Sequence, residues 1–495
     1  MQKLKLPKRY EALEREAKES DADLSRIIQR IDSAADRMET LLQQVRDGGL
    51  GRFELTLGKS GSGKTTFFRT LPRFFSGVEV RHVPAEIPLA NVAGHIREHN
   101  QLTNDPSVWV MYDRDNPTDD ENTIRRFCES RRVLFRENVG RVVLCWPITD
   151  EEKAKQIADV AWNIGRDSVV DLNRGVFVFD GVPKTEFYEI ADLTSRSLRG
   201  GSLEVFGLTK DVALPLAEEA ETIAEYYTRL EQRSGEINDR YREILKDKTV
   251  PSVWILVGGD DAKDLNLTVA TLTQGTQKQV DIDRLLTYLD DPKLDAAYLK
   301  EWKKRRAELA YLMRLLDVRL FELPPNVALA AVRAHGTDDA KKNLRLKTVN
   351  ASAADGTVSN AAFVRAAKGE EFGGRAYLRT TEDETANEYR RLQSRARGED
   401  KAFNKALASA IGRVLEDDSI TVEVAAEIQA PQGNLKPDIR LSFEGGRVIC
   451  LEPTWRSTGK GIDGELEARQ NTLTVGHIQK YLLEKILNYV NDLDL

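Results

Sequence analysis

The sequence is poor in the residues that build extracellular or metal-caged folds. Only three cysteines occur in 495 residues, at Cys128, Cys145 and Cys450. None stands in CxxC spacing, which argues against a disulfide framework and a cysteine zinc site and for a reducing compartment. The five histidines show no metal-ligand spacing. Long apolar runs are missing too. The longest are strand-sized, such as Val142 to Trp146, far short of the ~20 residues a membrane helix needs. The first residues, MQKLKLPKRYEALERE, contain no apolar core and do not read as a signal peptide. A global basic field is absent as well, since 73 Lys and Arg face 80 Asp and Glu for a net charge of −7. Any nucleic-acid contact must therefore come from a local patch. The expectation is a cytoplasmic protein with no membrane association.

What is present is a chain of roughly three domains' length, 41% hydrophobic and 31% charged, without internal repeats. Residues 9 to 46 carry apolar residues at helical spacing and form an N-terminal helical segment, 1–48, that packs on the next domain. Between residues 49 and 212 short apolar strands alternate with charged helices, which predicts a parallel sheet covered on both faces. The strands are FELTL (53–57), VEVRHV (78–83), VWVMYD (108–113), VVLCW (142–146) and VFVFD (176–180). Residues 213–349 read as a mostly helical middle domain containing one strand, VWILVGG (253–259), and 350–375 as an Ala/Gly/Ser-rich linker. Residues 376–495 then make a separate domain of helix, three strands and helix.

The most specific feature is GKSGSGKT, Gly58 to Thr65. Gly58, Gly61 and Gly63 let the backbone curl so that N–H groups, including those of Ser60 and Ser62, point inward at a phosphate. The following helix adds its positive end, with Thr66 in its first turn. Lys64 suits the β and γ phosphates, and the Thr65 hydroxyl suits magnesium. The segment resembles the Walker A motif of P-loop NTPases, matching every fixed position between a strand and a helix. The resemblance implies ATP and Mg2+ as cofactors. Asp113, at the end of VWVMYD, looks like the magnesium-holding Walker B aspartate. Arg114 stands where many ATPases place a glutamate, so Asp115 is a candidate for orienting the attacking water, with a solvated loop acid as the alternative. Thr149 resembles a polar sensor residue, and Asp180 reads equally well as a turn former before Gly181. Arg196 and Arg199 are candidates for reaching a γ-phosphate, with a charged helix end as the plainer reading. No guanine-reading NKxD motif follows a strand, which favours adenine.

The second constellation is PDIRLSFEGGRVICLEPTW, 437–455. Asp438 opens one strand, Glu452 lies in the next, and Gly445-Gly446 joins them, so antiparallel pairing would set the two acids side by side. A carboxylate embedded in an apolar strand needs a partner, and a metal is an apt one. The segment resembles the PD-(D/E)xK core of restriction-endonuclease-like proteins, with a preceding helix (401–416), a first strand (420–428) and a closing helix (475–490) carrying Gln479 and Tyr481. One departure is plain: Thr454 stands where the motif has lysine. Lys436, ranked first, or Lys460, Arg456 or Lys405 are its candidate replacements. Basic clusters at 303–306, 341–342 and 390–397 suit a phosphate backbone or a solvated helix face equally.

Together these resemblances imply an α/β protein with a P-loop NTPase parallel sheet of AAA-like or related type, a helical middle domain, and a C-terminal restriction-endonuclease-like α/β domain. The implied function is an ATPase that controls a metal-dependent nuclease, acting on nucleic acid, DNA first, in bacterial anti-phage defence or restriction. It would work as a homo-oligomer or in complex with another defence protein. The rival is an ATP-switched scaffold whose C-terminal domain is inactive and recruits a partner effector, and a phosphotransferase is a third reading.

Overall fold

The computed structural model describes residues 3–100, 105–136, 141–166, 170, 175–246, 250–291, 296–343, 350–372, 381–416, 419–430, 433–459 and 472–495. The chain is mixed α/β and divides into two compact units, one of residues 3–203 with 208–235, the other of 204–207 with 236–495. Among the described residues no helix is long and apolar enough to cross a membrane.

The first unit runs α1 (Tyr10–Glu19), α2 (Leu24–Ile27), α3 (Asp32–Gly48), β1 (Arg52–Leu57), α4 (Lys64–Phe74), β2 (Glu79–His82), α5 (Val92–His99), β3 (Ser107–Val110), α6 (Glu121–Arg136), β4 (Val142–Ile148), α7 (Glu151–Gly165), β5 (Val176–Val178), α8 (Phe187–Arg199), α9 (Lys210–Glu219) and α10 (Ile223–Ile244). Its five strands are all parallel, in the order β2-β3-β4-β1-β5. One face buries Phe53, Leu55, Leu144 and Trp146 against α5, α6 and α7. The other buries Val110, Val143 and Cys145 against Met38 and Leu42 of α3 and Phe68 of α4. The N-terminal segment is therefore part of this unit rather than a body of its own. A buried ion pair fastens it, with Arg37 donating to both oxygens of Glu54 on β1 at 2.6 Å. The single helix expected over 9–46 is three. Asp21 adopts φ 52°, and Asp23 accepts a hydrogen bond from the Ser25 N–H to start α2. Short polar residues of this kind favour caps over helix interiors.

The second unit comprises β6 (Ser252–Gly258), α11 (Ala262–Leu272), β7 (Thr273–Gln274), β8 (Gln279–Val280), α12 (Ile282–Leu286), α13 (Ala297–Lys304), α14 (Arg306–Leu315), β9 (Arg319–Leu323), α15 (Pro325–His335), α16 (Asp338–Asn343), α17 (Ala351–Ser359), α18 (Ala362–Lys368), α19 (Asp383–Leu415), β10 (Ile420–Val424), β11 (Ile428–Ala430), β12 (Gly433–Leu435), β13 (Ile439–Phe443), β14 (Val448–Trp455) and α20 (Val475–Asp492). Its main sheet has the order β10-β13-β14-β6-β9-β8-β7. β14, β6 and β9 are parallel neighbours, while β13 runs antiparallel to β10 and β14.

This topology corrects two expected boundaries. The middle domain, 213–349, does not stand apart from 376–495, because β6 and β9 lie in the same sheet as β13 and β14. VWILVG is apolar throughout and wholly buried from Val253 onward, which only a central strand with both faces covered accommodates. β9 lies inside a run whose spacing reads as helix, and Pro324-Pro325 directly follows it. The supposed linker, as far as residue 372, carries α17 and α18, and Val358, Phe363 and Val364 sit in the main core. Alanine-rich stretches have weak apolar contrast yet high helix propensity, so periodicity underreports them. Residues 373–375 of that stretch lie outside the described residues.

Candidate functional site

In the first unit the chain leaves β1 at Leu57, turns through Gly58 to Gly63, and enters α4 at Lys64. Two glycines here are obligatory. Gly61 has φ 80°, and a Cβ there would lie 2.7 Å from the Cβ of Ala224. Gly63, at φ 103°, is the N-cap of α4. Lys64 is only 5% exposed, and its ammonium donates to the carbonyls of Gly58 (2.5 Å) and Lys59 (3.1 Å). Burial lowers its pKa, and the opposing charge of Asp115 raises it in part. Asp115 is raised by its own burial, with Lys64 pulling down and Asp113 pushing up.

A cavity of about 830 Å³ opens in front of this loop. Residues 59–66 line it together with Asp113 and Asp115, so the predicted lysine, threonine and both aspartates share one space. Gly58 is set back, against Phe179. β3 ends at Val110, and Asp113 lies beyond it in a loop with φ 59°, a left-handed conformation that aspartate tolerates. β4 stands between β1 and β3, and Thr149 follows it. Thr149 braces the acidic loop, since its N–H and hydroxyl both donate to the Asp115 carbonyl (2.9 and 3.1 Å). Asp180 is exposed and outside the cavity wall. Arg196 and Arg199 do not line it either. Arg196 pairs with Asp192 at 2.6 Å and Arg199 with Glu16 of α1.

In the second unit, register places the two acids. Ile439 pairs with Leu451, so the preceding residue, Asp438, falls opposite Glu452. Cys450, Glu452 and Thr454 share one face of β14 by strand alternation. Glu452 is 1% exposed. Its Oε2 accepts a hydrogen bond from Lys485 Nζ at 2.6 Å and its Oε1 from Tyr489 Oη at 2.5 Å. Lys485 and Tyr489 lie one helical turn apart on α20, hence on one side of it. Burial pushes the Asp438 carboxyl up to about 7, with the Glu452 charge adding to the shift and Lys485 opposing it. Burial works against the charge of Lys485, but Glu452 and Asp438 outweigh it, and its pKa is raised. Burial also pushes the Cys450 thiol up to about 12 and both Tyr481 and Tyr489 well above their usual value.

A lysine does stand beside Glu452, but it is Lys485 of α20. Lys436 is exposed and faces Glu427 at 3.3 Å, away from the pair. Lys405 is exposed on α19, and Lys460 lies outside the described residues. Arg456 donates to Thr454 Oγ1 at 2.8 Å and stacks on Tyr481. Gln479 donates to the Arg284 carbonyl at 3.0 Å, a packing role. Three residues escaped the sequence reading: Lys485, Tyr489, and Asp400 of α19, whose charge also reaches Asp438. The available signal was YLLEKILNYV, where a lysine and a tyrosine four residues apart interrupt the apolar face of the closing helix.

Among the described residues no group of three or more His, Cys, Asp or Glu converges as a cation cage. The donor set at Asp438 and Glu452 is hard oxygen only. That fits magnesium, which commonly takes one or two carboxylates and completes its shell with water and substrate phosphate. No family model matches the chain, and a comparison with curated proteins finds no match.

Proposed function

We propose that this protein binds and hydrolyses ATP with magnesium at Gly58–Thr66 and controls a magnesium-dependent nuclease built on Asp438, Glu452 and Lys485. At the first site Lys64 would exchange its bonds to the Gly58 and Lys59 carbonyls for the β and γ phosphates. Thr65 and Asp113 would hold the cation, and Asp115, kept in place by Thr149, would orient water. At the second site the cation, held by Asp438 and Glu452, would polarise the scissile phosphate and lower the pKa of bound water. Lys485 would then balance charge developing on the phosphate, and Tyr489 would keep Glu452 from rotating.

The observation that carries the nuclease half is Lys485 Nζ lying 2.6 Å from Glu452, on the face of β14 that Thr454 shares. A helix thus returns the cation that the strand lacks. α10 belongs to both units, residues up to Gly235 falling in the first and those from Glu236 in the second. The substrate class is nucleic acid, DNA first, and anti-phage defence or restriction, acting as an oligomer or with a partner, is the setting that fits.

The scaffold reading has one observation in its favour, namely that both Glu452 oxygens already have donors. Cleavage of single- and double-stranded DNA and of RNA, with and without Mg2+ and ATP, separates the two. Lys485→Ala and Glu452→Ala should each abolish cleavage, while Lys436→Ala cleaves as the parent does and ATP hydrolysis survives in all three. Absence of any Mg2+-dependent cleavage by the parent would leave the scaffold.

A further inference from the structure

The apolar core of the second unit runs out to one edge of its sheet and loses its cover there. β10 is the last strand in the order, paired with β13 on one side only. Ile420, Val422 and Val424 stand opposite Phe443, Leu441 and Ile439, so the apolar face continues into β10 without a break. Along β10 the cover thins: Ile420 is buried, Val422 half-buried and Val424 40% exposed. A groove of about 860 Å³ lies beside these three side chains. Ala408, Ser409 and Gly412 of α19 wall it, small residues that leave room for a facing side chain.

The backbone of the same three residues faces outward. The Ala425 N–H donates to the Asp438 carbonyl at 3.0 Å, which fixes the phase of the ladder. In antiparallel pairing the residues that bond to a given neighbour alternate. Thr421 and Glu423 therefore bond to β13, while the N–H and C=O groups of Ile420, Val422 and Val424 point away from it. Among the described residues nothing bonds to them. Natural sheet edges are usually blunted by proline, lysine, a bulge or extreme shortness. β7, at the opposite edge, is two residues long. β10 has five residues in continuous register, with neither proline nor lysine.

The residues of β10 also fit their own copy. Turned about a two-fold axis at Val422, Ile420 meets the second copy's Val424, and Val422 meets Val422. Each of these pairs exchanges two backbone hydrogen bonds and closes the apolar face. On the other face Glu423, 3.8 Å from Arg440 of β13, meets the second copy's Thr421, whose hydroxyl can donate to the carboxylate. No like charges stand opposite each other. We propose that β10 pairs antiparallel with β10 of a second copy of this chain, joining two sheets into one across a two-fold axis. Neither catalytic reading is needed for this contact to form.

Sedimentation velocity on the full chain over a wide range of concentration tests it, and the parent should dimerise. Val424→Lys puts a charge at an already exposed edge position. Val422→Pro removes an N–H that no bond within the chain uses, a place where an edge strand tolerates proline. Each should raise the dimer dissociation constant about tenfold or more, with the circular dichroism of the parent retained. Leu267→Lys on α11, which replaces the most exposed of the large apolar side chains at 64%, should dimerise as the parent does. A parent that stays monomeric overturns the proposal. So do folded β10 variants that dimerise normally, or loss of the dimer in Leu267→Lys.

Discussion

The buried carboxyl of Asp438, beside Glu452, has a measurable consequence for stability. Asp438 is displaced from 3.8 to about 7, because it is largely buried and stands beside Glu452. The folded chain thus holds a proton that the unfolded chain releases near pH 4. The stabilisation is complete below about pH 4 and is lost as pH rises to about 7. At about 1.4 kcal/mol for each tenfold change in proton affinity, the rise from 3.8 to about 7 gives a ceiling of ~4 kcal/mol, and the partial solvent access of Asp438 lowers the real value. For a unit of this size 1 kcal/mol corresponds to about 2–4 °C in the midpoint. In EDTA the transition of this unit should therefore fall by several degrees between pH 5 and pH 8 relative to Asp438→Asn, which cannot ionise. Magnesium should flatten the parent's slope by taking the place of the proton. Differential scanning calorimetry at four pH values is sufficient. Parallel lines for parent and Asp438→Asn over that range would refute the placement of these acids in one buried pair.

Two further expectations follow from the first unit. Asp113→Ala and Asp115→Ala should each reduce ATP hydrolysis far more than Asp180→Ala, which lies outside the cavity, and a steady-state phosphate-release assay ranks them. Gly61→Ala should destabilise by about 1–3 kcal/mol, because its Cβ would stand only 2.7 Å from that of Ala224 on a left-handed backbone. Gly94→Ala, within α5 and with open space around it, should instead stabilise by about 0.5–1 kcal/mol, and thermal melts read the opposite signs.

The first unit was largely legible because its signals are local. Each strand is a short apolar run, each helix an amphipathic one, and the proposed phosphate loop is eight contiguous residues that fall between a strand and a helix as expected. What failed there were short polar breaks, such as Asp21 to Asp23, which cost the long N-terminal helix its continuity. The lining of the cavity by residues 7–13 and 27–29 was not legible, since nothing in their spacing says what they face.

The second unit was harder because its sheet is assembled from distant segments. β6 and β14 are nearly two hundred residues apart in sequence yet pair as parallel neighbours, and no local pattern announces such a partnership. The carboxylate pair could still be read, because Asp438 and Glu452 sit on a hairpin whose register follows from one turn. The lysine could not. A strand that places Thr454 beside Glu452 leaves that face open to whatever helix covers it, and any helix presents a residue every turn. Only the packing of α20 selects Lys485 over the basic residues nearer in sequence. Lys436 is two residues from Asp438 along the chain, but it turns toward Glu427 and solvent, while a residue 33 positions from Glu452 reaches it. Sequence distance measured the wrong thing. At a sheet surface the relevant neighbour is the one the covering helix carries.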